Sequence, residues 1–448
     1  MKLEYVASGT SFMQLAKLKE HPEAAAVVNN MFADIFGDQP GHTFSILYNA
    51  WAESSYGEKL SVLKPSIHNL HADSGGLQMV TLAHKLPKGT NMNTLREEVY
   101  HNQAEWADVG MCFDEIPVVT TGASDRNDTS NRYFDRENRH KYAQQTADNV
   151  ARQIEVFKEN NSSCKPFMIC QGGDFEWIDT ILKTVPEGDH HRIGGVAMGG
   201  AALGTGPLED IQKAFFASQV PVRDENGKLH LHVLGVGSIT RMIPYLIFLQ
   251  NGSYGNVHMS YDSTTHSRGV ETGMYYIRGE IRNGEHIPGP GRTMNFTRAK
   301  SADSVVVGEP GESCPDLQYD ILMNDINRVY NLGMTKERFH ECLNVPTVPY
   351  MEKYGELSTW YTARNALCCV SIKNFMDELE ELINDKDKLL QLANKRYPGI
   401  SGQQLFDVKD IDSFNAWMDR WGGIFKEKKK SKSISHTKPV EEIQLDFT

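Results

Sequence analysis

Nothing in this chain approaches the roughly 18 consecutive apolar residues that a membrane-spanning helix needs, so no membrane partner is expected. The opening residues Met1-Lys2-Leu3-Glu4-Tyr5-Val6 lack the apolar core of a signal peptide, and a cytoplasmic location is expected. The seven cysteines, at positions 112, 164, 170, 314, 342, 368 and 369, are odd in number and scattered. They do not form a disulfide framework, and a reducing compartment suits them. Positive charge is also short: 46 Lys and Arg stand against 58 Asp and Glu, a formal charge of −12, which argues against a protein that coats nucleic acid non-specifically. There is no internal repeat, and no Gly-x-Gly-x-x-Gly opens the first strand-to-helix turn, which disfavours a dinucleotide-binding sheet.

What is there reads as a folded protein. Hydrophobic residues make up 40% and charged residues 23% of the 448, ordinary values for a chain that buries a sizeable core. From about residue 65 to 262, short β-like runs alternate with helical stretches. The runs are Ser66 to Ala72, Val109 to Phe113, Pro166 to Cys170, Ile193 to Met198, Leu229 to Leu234 and Val257 to Tyr261, with an earlier candidate at Thr43 to Trp51. Helical periodicity marks Thr94 to Ala107, Arg136 to Asn160, Phe175 to Lys183, Leu208 to Gln219 and Ile239 to Gln250. Seven strands, each followed by a helix, predict an α/β fold, a (β/α)8 barrel of the TIM type whose eighth strand is not evident.

After Asp262 the pattern changes. A Gly/Pro-punctuated stretch from Gly284 to Gly291, beside an Arg-bearing hairpin candidate at Tyr275 to Arg282, predicts an insertion after the barrel strand or a strand-rich flap. Residues 316 to 395 read as helices, clearest in Ala366 to Asn384, and Phe406 to Trp421 adds an amphipathic segment. The expected organisation is a barrel over residues 1–310, a helical region packed on it over 311–424, and a basic, flexible tail over 425–448 that begins with the lysine run Lys426 to Lys432.

The informative feature is where the unusual polar residues fall. Asp73-Ser74-Gly75-Gly76-Leu77-Gln78, Asp114-Glu115, Gln171-Gly172-Gly173, Gly195 to Gly200, Gly235-Val236-Gly237 and Asp262-Ser263 each stand at or just beyond the C-terminal end of a β-like run. In a (β/α)8 barrel that face gathers the active site, because its loops converge on one axis. Three aspartates and a glutamine around one axis point to a site that reads a polar planar ligand and does acid/base or nucleophilic work. Glycines beside them let a ligand reach the backbone. An aspartate after a strand is, taken singly, more often a helix N-cap, but six coordinated occurrences fit that reading poorly.

These residues, with Phe113-Asp114-Glu115, Ile193-Gly194-Gly195-Val196-Ala197-Met198-Gly199, Leu234-Gly235-Val236-Gly237 and Tyr261-Asp262-Ser263, occur in the order seen in tRNA-guanine transglycosylases. The sequence resembles that superfamily over roughly residues 65 to 270, with a weaker echo at Gly355 to Met376. The resemblance implies exchange of guanine in a polynucleotide for a 7-deazaguanine base, with the sugar-phosphate chain uncut. It implies that Asp262 is the nucleophile at C1′, forming a covalent glycosyl-enzyme, and that Asp73 is the general acid/base. Base reading falls to Asp114, accepting from the donor edge, and to Gln171, with backbone contacts from Gly195 and Val196 and further substrate contacts from Ser74, Leu234 and Gly235. Leu77 stands where the family commonly places an aromatic. The resemblance also implies a pentosyltransferase that pairs as a homodimer.

The family's structural zinc set, Cys-x-Cys-x-x-Cys with a His-Asn pair, is broken here. Only Cys314 answers the cysteines, and Arg364 stands before Asn365 where the histidine belongs. No structural zinc or other cofactor is expected, and Cys314, His340 and Cys342 are a weak alternative set. Relatives of the family that act on DNA, often in phages, insert bases such as 7-cyano-7-deazaguanine that defeat restriction enzymes. The broken zinc set favours that DNA-modifying group, in a bacterial host cytoplasm for a phage-encoded chain. The queuine-type enzymes acting on tRNA, and a non-catalytic partner subunit, are the alternatives. A polymer substrate needs a basic surface, and the segment carrying Arg268, Arg278, Arg282, Arg292, Arg298 and Lys300 offers one for phosphates. His266 is a further candidate contact to sugar or phosphate. A DNA guanine has to be flipped out or presented on a single strand, because C1′ and the base edge are closed off in a stacked duplex.

Overall fold

The computed structural model of the chain describes residues 3–8, 19–37, 41–76, 91–120, 132–134, 137–171, 175–199, 207–263, 265–266, 274–282, 285–295, 349, 352–353, 355, 357–400 and 402–433. Strand β1 (Leu3–Ser8) is followed by α1 (Pro22–Phe36), β2 (His42–Asn49), α2 (Ser55–Leu60) with a 3-10 turn at Ser61–Ser66, and β3 (Leu70–Asp73). Next come α3 (Met92–Trp106), β4 (Val109–Met111), β5 (Val118–Thr120), β6 (Arg132–Phe134), α4 (Arg139–Glu159), β7 (Lys165–Cys170), α5 (Phe175–Thr184), β8 (Gly195–Met198) and α6 (Pro207–Ser218). The order continues through β9 (Leu229–Val233), α7 (Ile239–Gln250), β10 (Val257–Ser263), β11 (Met274–Arg282) and β12 (Glu285–Asn295) to α8 (Leu357–Asn384), α9 (Lys386–Arg396), α10 (Gly402–Phe406) and α11 (Ile411–Ser433).

Eight of these strands close a parallel barrel in the order β1-β10-β9-β8-β7-β4-β3-β2, the expected (β/α)8 architecture. The strand missing from the sequence reading is β1, which seals the seam. Leu3 to Ala7 pair with Met259 to Ser263 on one side, and Leu3 to Ser8 with His42 to Leu47 on the other. Tyr5 locks that seam: its hydroxyl donates to the Ser263 carbonyl at 3.1 Å and its ring meets Tyr261 edge-on at 5.4 Å. The run predicted from Ser66 is shorter as a strand, since Ser61–Ser66 is a 3-10 turn and extended pairing starts at Leu70.

Strand β4 is only three residues long, and two buried glutamines supplement its pairing. Gln103 of α3 donates to the carbonyls of Ala72 (3.2 Å) and Met111 (2.8 Å), while Gln153 of α4 donates to Gly110 O (3.1 Å) and to Gln103 Oε1 (2.7 Å). Buried carbonyls left without such partners would each cost about 1–3 kcal/mol. Gly110 leaves room for this packing, since a Cβ would stand 3.0 Å from Gln103 Oε1 and 3.1 Å from Phe157.

The segment after β10 is an antiparallel hairpin, β11 with β12. Its register shifts between Arg278 and Glu280, with Gly279 at φ 105°. The prolines of β12, at 288 and 290, fall in the unpaired stretch between the two registers, the position in a strand where a missing N–H costs no ladder bond. Helix α8 fastens this hairpin to the barrel. Phe375 packs against Tyr5, Tyr261 and Tyr276, Asn374 donates to Tyr276 O at 3.0 Å, and the Tyr276 hydroxyl donates to Glu378. The following helices close on α6 and α7: Phe414 stacks on Phe215 at 3.9 Å and 4°, and Asn251 donates to the carbonyls of Phe406 and Val408. Helix α11 runs through Ser433, so it takes in the lysine run, and residues 434–448 lie outside the described part. Among the described residues no helix is long and apolar enough to cross a membrane.

Candidate active site

The site begins with strand ends. Asp73 is the last residue of β3 and Asp262 the last but one of β10, so barrel closure alone brings both to the C-terminal mouth. Gly235, at φ +66° just past β9, turns its amide to donate to Asp262 Oδ1 at 2.7 Å. The turn is held from behind by Arg241, whose Nη1 donates to Gly235 O at 2.8 Å. His232 of β9, wholly buried, brings Nε2 to 3.3 Å from the same Asp262 oxygen, and its Nδ1 lies 2.8 Å from Ser260 Oγ. His232 Nε2 faces Asp262 without a hydrogen-bond partner among the described residues.

Opposite, the Asp73-Ser74-Gly75-Gly76 turn folds against Asp114. Gly76 N donates to Ser74 Oγ at 3.2 Å, and Ser74 Oγ donates to Asp114 Oδ1 at 3.4 Å. A Cβ on Gly76 would stand 2.2 Å from Asp114 Oδ1, so the approach requires glycine. Gly75 takes φ +83° beside Asn49 and Trp51. The residues flanking Asp114 are clamped to α4: Asn149 donates to Phe113 O at 2.8 Å and Thr146 Oγ1 accepts from Glu115 N at 3.0 Å. Gln171, one residue past β7, donates its Nε2 to Asp114 Oδ2, while its Oε1 is buried with no partner among the described residues.

Two of the carboxyl groups are held above their usual range. Burial, then the nearby Asp262 charge, pushes the Asp73 carboxyl up to about 6, against the hydrogen bonds from the Gly75 and Ser74 amides and the neighbouring His232. Burial, then Asp73, pushes Asp114 up to about 7 although the Gln171 amide works the other way. Near neutral pH Asp73 and Asp114 therefore both exchange protons readily, the condition for acid/base work.

Ser74, Asp114 and Gln171 thus form one hydrogen-bonded cluster next to Asp73, whose carboxyl feels the Asp262 charge. Other expected site residues lie elsewhere. Gly195 and Val196 open β8 rather than end it: they sit in the barrel wall beside Phe167 and Met168 of β7, and Val196 is fully buried. At the mouth end the residue beside Gln171 is Gly199, where a Cβ would stand 2.4 Å from Gln171 Oε1. Gly235 spends its amide on Asp262 instead of facing outward. Leu234 is half-buried, with its N donating to Met198 O at 3.2 Å. Arg278 is ion-paired with Glu381 of α8 at 2.8 Å, and Arg282 ends β11 opposite Glu285. Arg268, Leu77, Arg298, Lys300, Cys314, His340 and Cys342 lie outside the described residues.

His266 is enclosed rather than presented. It is 3% exposed, lies 4.2 Å from Phe375 and 4.9 Å from Tyr276, and burial lowers its pKa to about 3 against its hydrogen bond with Gly237 O. A neutral ring so placed offers no charge to a phosphate. His232 was the functional candidate hidden in the sequence: Leu229-His230-Leu231-His232-Val233 alternates like a strand with one wet face, but in a barrel the alternate face is the interior. Compared with known proteins, the chain matches no family model, no curated protein and no solved structure.

Proposed function

We propose that this chain is a guanine transglycosylase that exchanges guanine in DNA for a 7-deazaguanine base through a covalent bond to Asp262. The observation that carries the reading is the joint placement of Asp262 and Asp73 at one barrel mouth, next to the hydrogen-bonded pair Asp114–Gln171. Asp262 Oδ2 attacks C1′ as the C1′–N9 bond breaks, and the departing guanine takes the proton of Asp73. The ionised Asp73 then takes the N9 proton of the incoming 7-deazaguanine, whose nitrogen displaces Asp262 from C1′, so protons and bonds balance over the cycle. Asp262 Oδ1, held by the Gly235 amide and facing His232, leaves the other oxygen to react.

Guanine presents N1–H and an exocyclic amine on one edge, which suits the carboxylate of Asp114. Gln171 Oε1, without a partner among the described residues, offers hydrogen-bonding capacity at the same spot. A glycoside hydrolase would also use two carboxylates, but it would leave this planar-ligand reader without a purpose. The choice of DNA rests on the resemblance and on the broken cysteine set in the sequence. The test offers radiolabelled guanine together with duplex DNA, single-stranded DNA or unmodified tRNA. Label entering DNA and lost in Asp262→Ala is the expected result. Label entering tRNA alone would replace the polymer and keep the chemistry, and label entering none would remove the reading.

A further inference from the structure

At the end of the barrel away from the catalytic mouth, Glu4, His68 and His258 converge. Glu4 is the second residue of β1, His258 the second of β10, and His68 stands two residues before β3. One carboxylate oxygen and one ring nitrogen from each histidine all lie within 4.8 Å of one another. From these positions we infer that the three residues bind a divalent transition-metal ion of the zinc type, which ties the first and last barrel strands and the segment before β3 together at the seam. This site is independent of the function proposed above.

The two oxygens of Glu4 are used differently. Oε1 takes Ser45 Oγ, Asn69 Nδ2 (3.0 Å) and His71 Nε2 (2.9 Å), whereas Oε2 lies 2.6 Å from His258 Nε2. Three donors on one oxygen fix the carboxylate and aim the other at the two imidazoles, the arrangement in which outer partners orient a monodentate metal ligand. The rings of His68 and His258 lie at 30° to each other with centroids 5.6 Å apart. Donor atoms around a tetrahedral zinc with bonds of about 2.0–2.1 Å are roughly 3.3 Å apart. The donor atoms here all lie within 4.8 Å of one another, with Glu4 Oε2 and His258 Nε2 2.6 Å apart, so small side-chain rotations bring them to that spacing.

The donor chemistry points the same way. Among the described residues every ion-pair partner of Glu4 is a histidine, and no lysine or arginine enters. Two imidazoles and one carboxylate suit zinc, cobalt or iron rather than magnesium or calcium, which take oxygen. His68 is exposed, giving an entry path and room for water as the remaining ligand. The ion would lie about 13 Å below Asp262, four residues down β10 at about 3.3 Å each, too far to touch substrate.

The test uses the full chain stripped with a chelator, then titrated separately with zinc, cobalt and magnesium and followed by calorimetry, metal analysis and thermal unfolding. We expect one equivalent of zinc at micromolar affinity or tighter, a higher melting temperature on addition, a visible cobalt absorption band, and no response to magnesium. His68→Ala, an exposed change that leaves folding intact, and His258→Ala should each weaken zinc binding by about tenfold or more. Glu4→Gln tests the carboxylate, with the histidine variants deciding the matter where it does not fold. Absence of stoichiometric zinc binding, or parental affinity in the His68→Ala/His258→Ala double variant, overturns the inference.

Discussion

His232 sets its Nε2 3.3 Å from Asp262 Oδ1 while Ser260 Oγ holds its other ring nitrogen at 2.8 Å. The Asp262 oxygen that accepts from the Gly235 amide therefore also faces a buried imidazole. Under the proposed function His232 is a positioning residue for Asp262. His232→Asn is expected to lower kcat for base exchange by about ten- to a hundredfold, the scale of a small misplacement of a reacting atom, and to leave KM for guanine unchanged. Steady-state kinetics with separate kcat and KM values checks this, because a purely structural loss would lower the active fraction and leave turnover per folded molecule intact.

Asp73 and Asp114 have folded-state pKa values of about 6 and about 7, both above the ordinary value of an unfolded carboxyl. The folded chain thus keeps protons that the unfolded chain has already lost, and stability falls as pH rises from about 4 to about 7. Asp73→Asn should remove part of that slope and raise stability at pH 7 by about 1–2 kcal/mol, discounted for the solvent at the mouth, while abolishing exchange. Urea unfolding of the two proteins at pH 4 and pH 7 measures it. An equal difference at both pH values would refute the assignment.

Gly199 stands beside Gln171, where an added Cβ would meet Oε1 at 2.4 Å. Gly199→Ala displaces the amide from Asp114 and removes a base contact worth about 1–3 kcal/mol, or about ten- to a hundredfold in KM for guanine. Gly195→Ala acts elsewhere, since its Cβ would meet His230 O at 2.6 Å inside the wall, and should reduce stability rather than base affinity. Guanine KM beside unfolding midpoints for both variants separates the two positions.

Gln103→Ala strips the Ala72 and Met111 carbonyls of their donor and leaves Gln153 half-satisfied. A loss of at least about 2 kcal/mol is expected, read as a lower urea midpoint at an unchanged m-value. Gln103 makes no hydrogen bond to Asp262 or Asp73 among the described residues, so the folded fraction should retain turnover.

The barrel was legible because its strands come as short apolar runs separated by helices with clear periodicity. The carboxylates were legible because barrel geometry sends strand ends to one mouth. Strand β1 was not: Glu4 interrupts the apolar run at Leu3, Tyr5, Val6 and Ala7, and its burial makes sense only once His71 and His258 surround it. Gly235 could be placed near the site but not assigned, since an amide donating to Asp262 leaves no trace in residue type. The basic segment was read as a phosphate surface from net charge, yet Arg278 pairs with Glu381, a residue about a hundred positions away that only folding brings near.

The central claim is that Asp262 carries the sugar. The protein would be incubated with its polynucleotide substrate, quenched in acid and digested with protease, and the peptide containing Asp262 examined by mass spectrometry. A nucleotide remnant attached at Asp262, absent from Asp262→Asn, is the predicted result. A remnant on any other residue, or base exchange at the parental rate by Asp262→Asn, would contradict it.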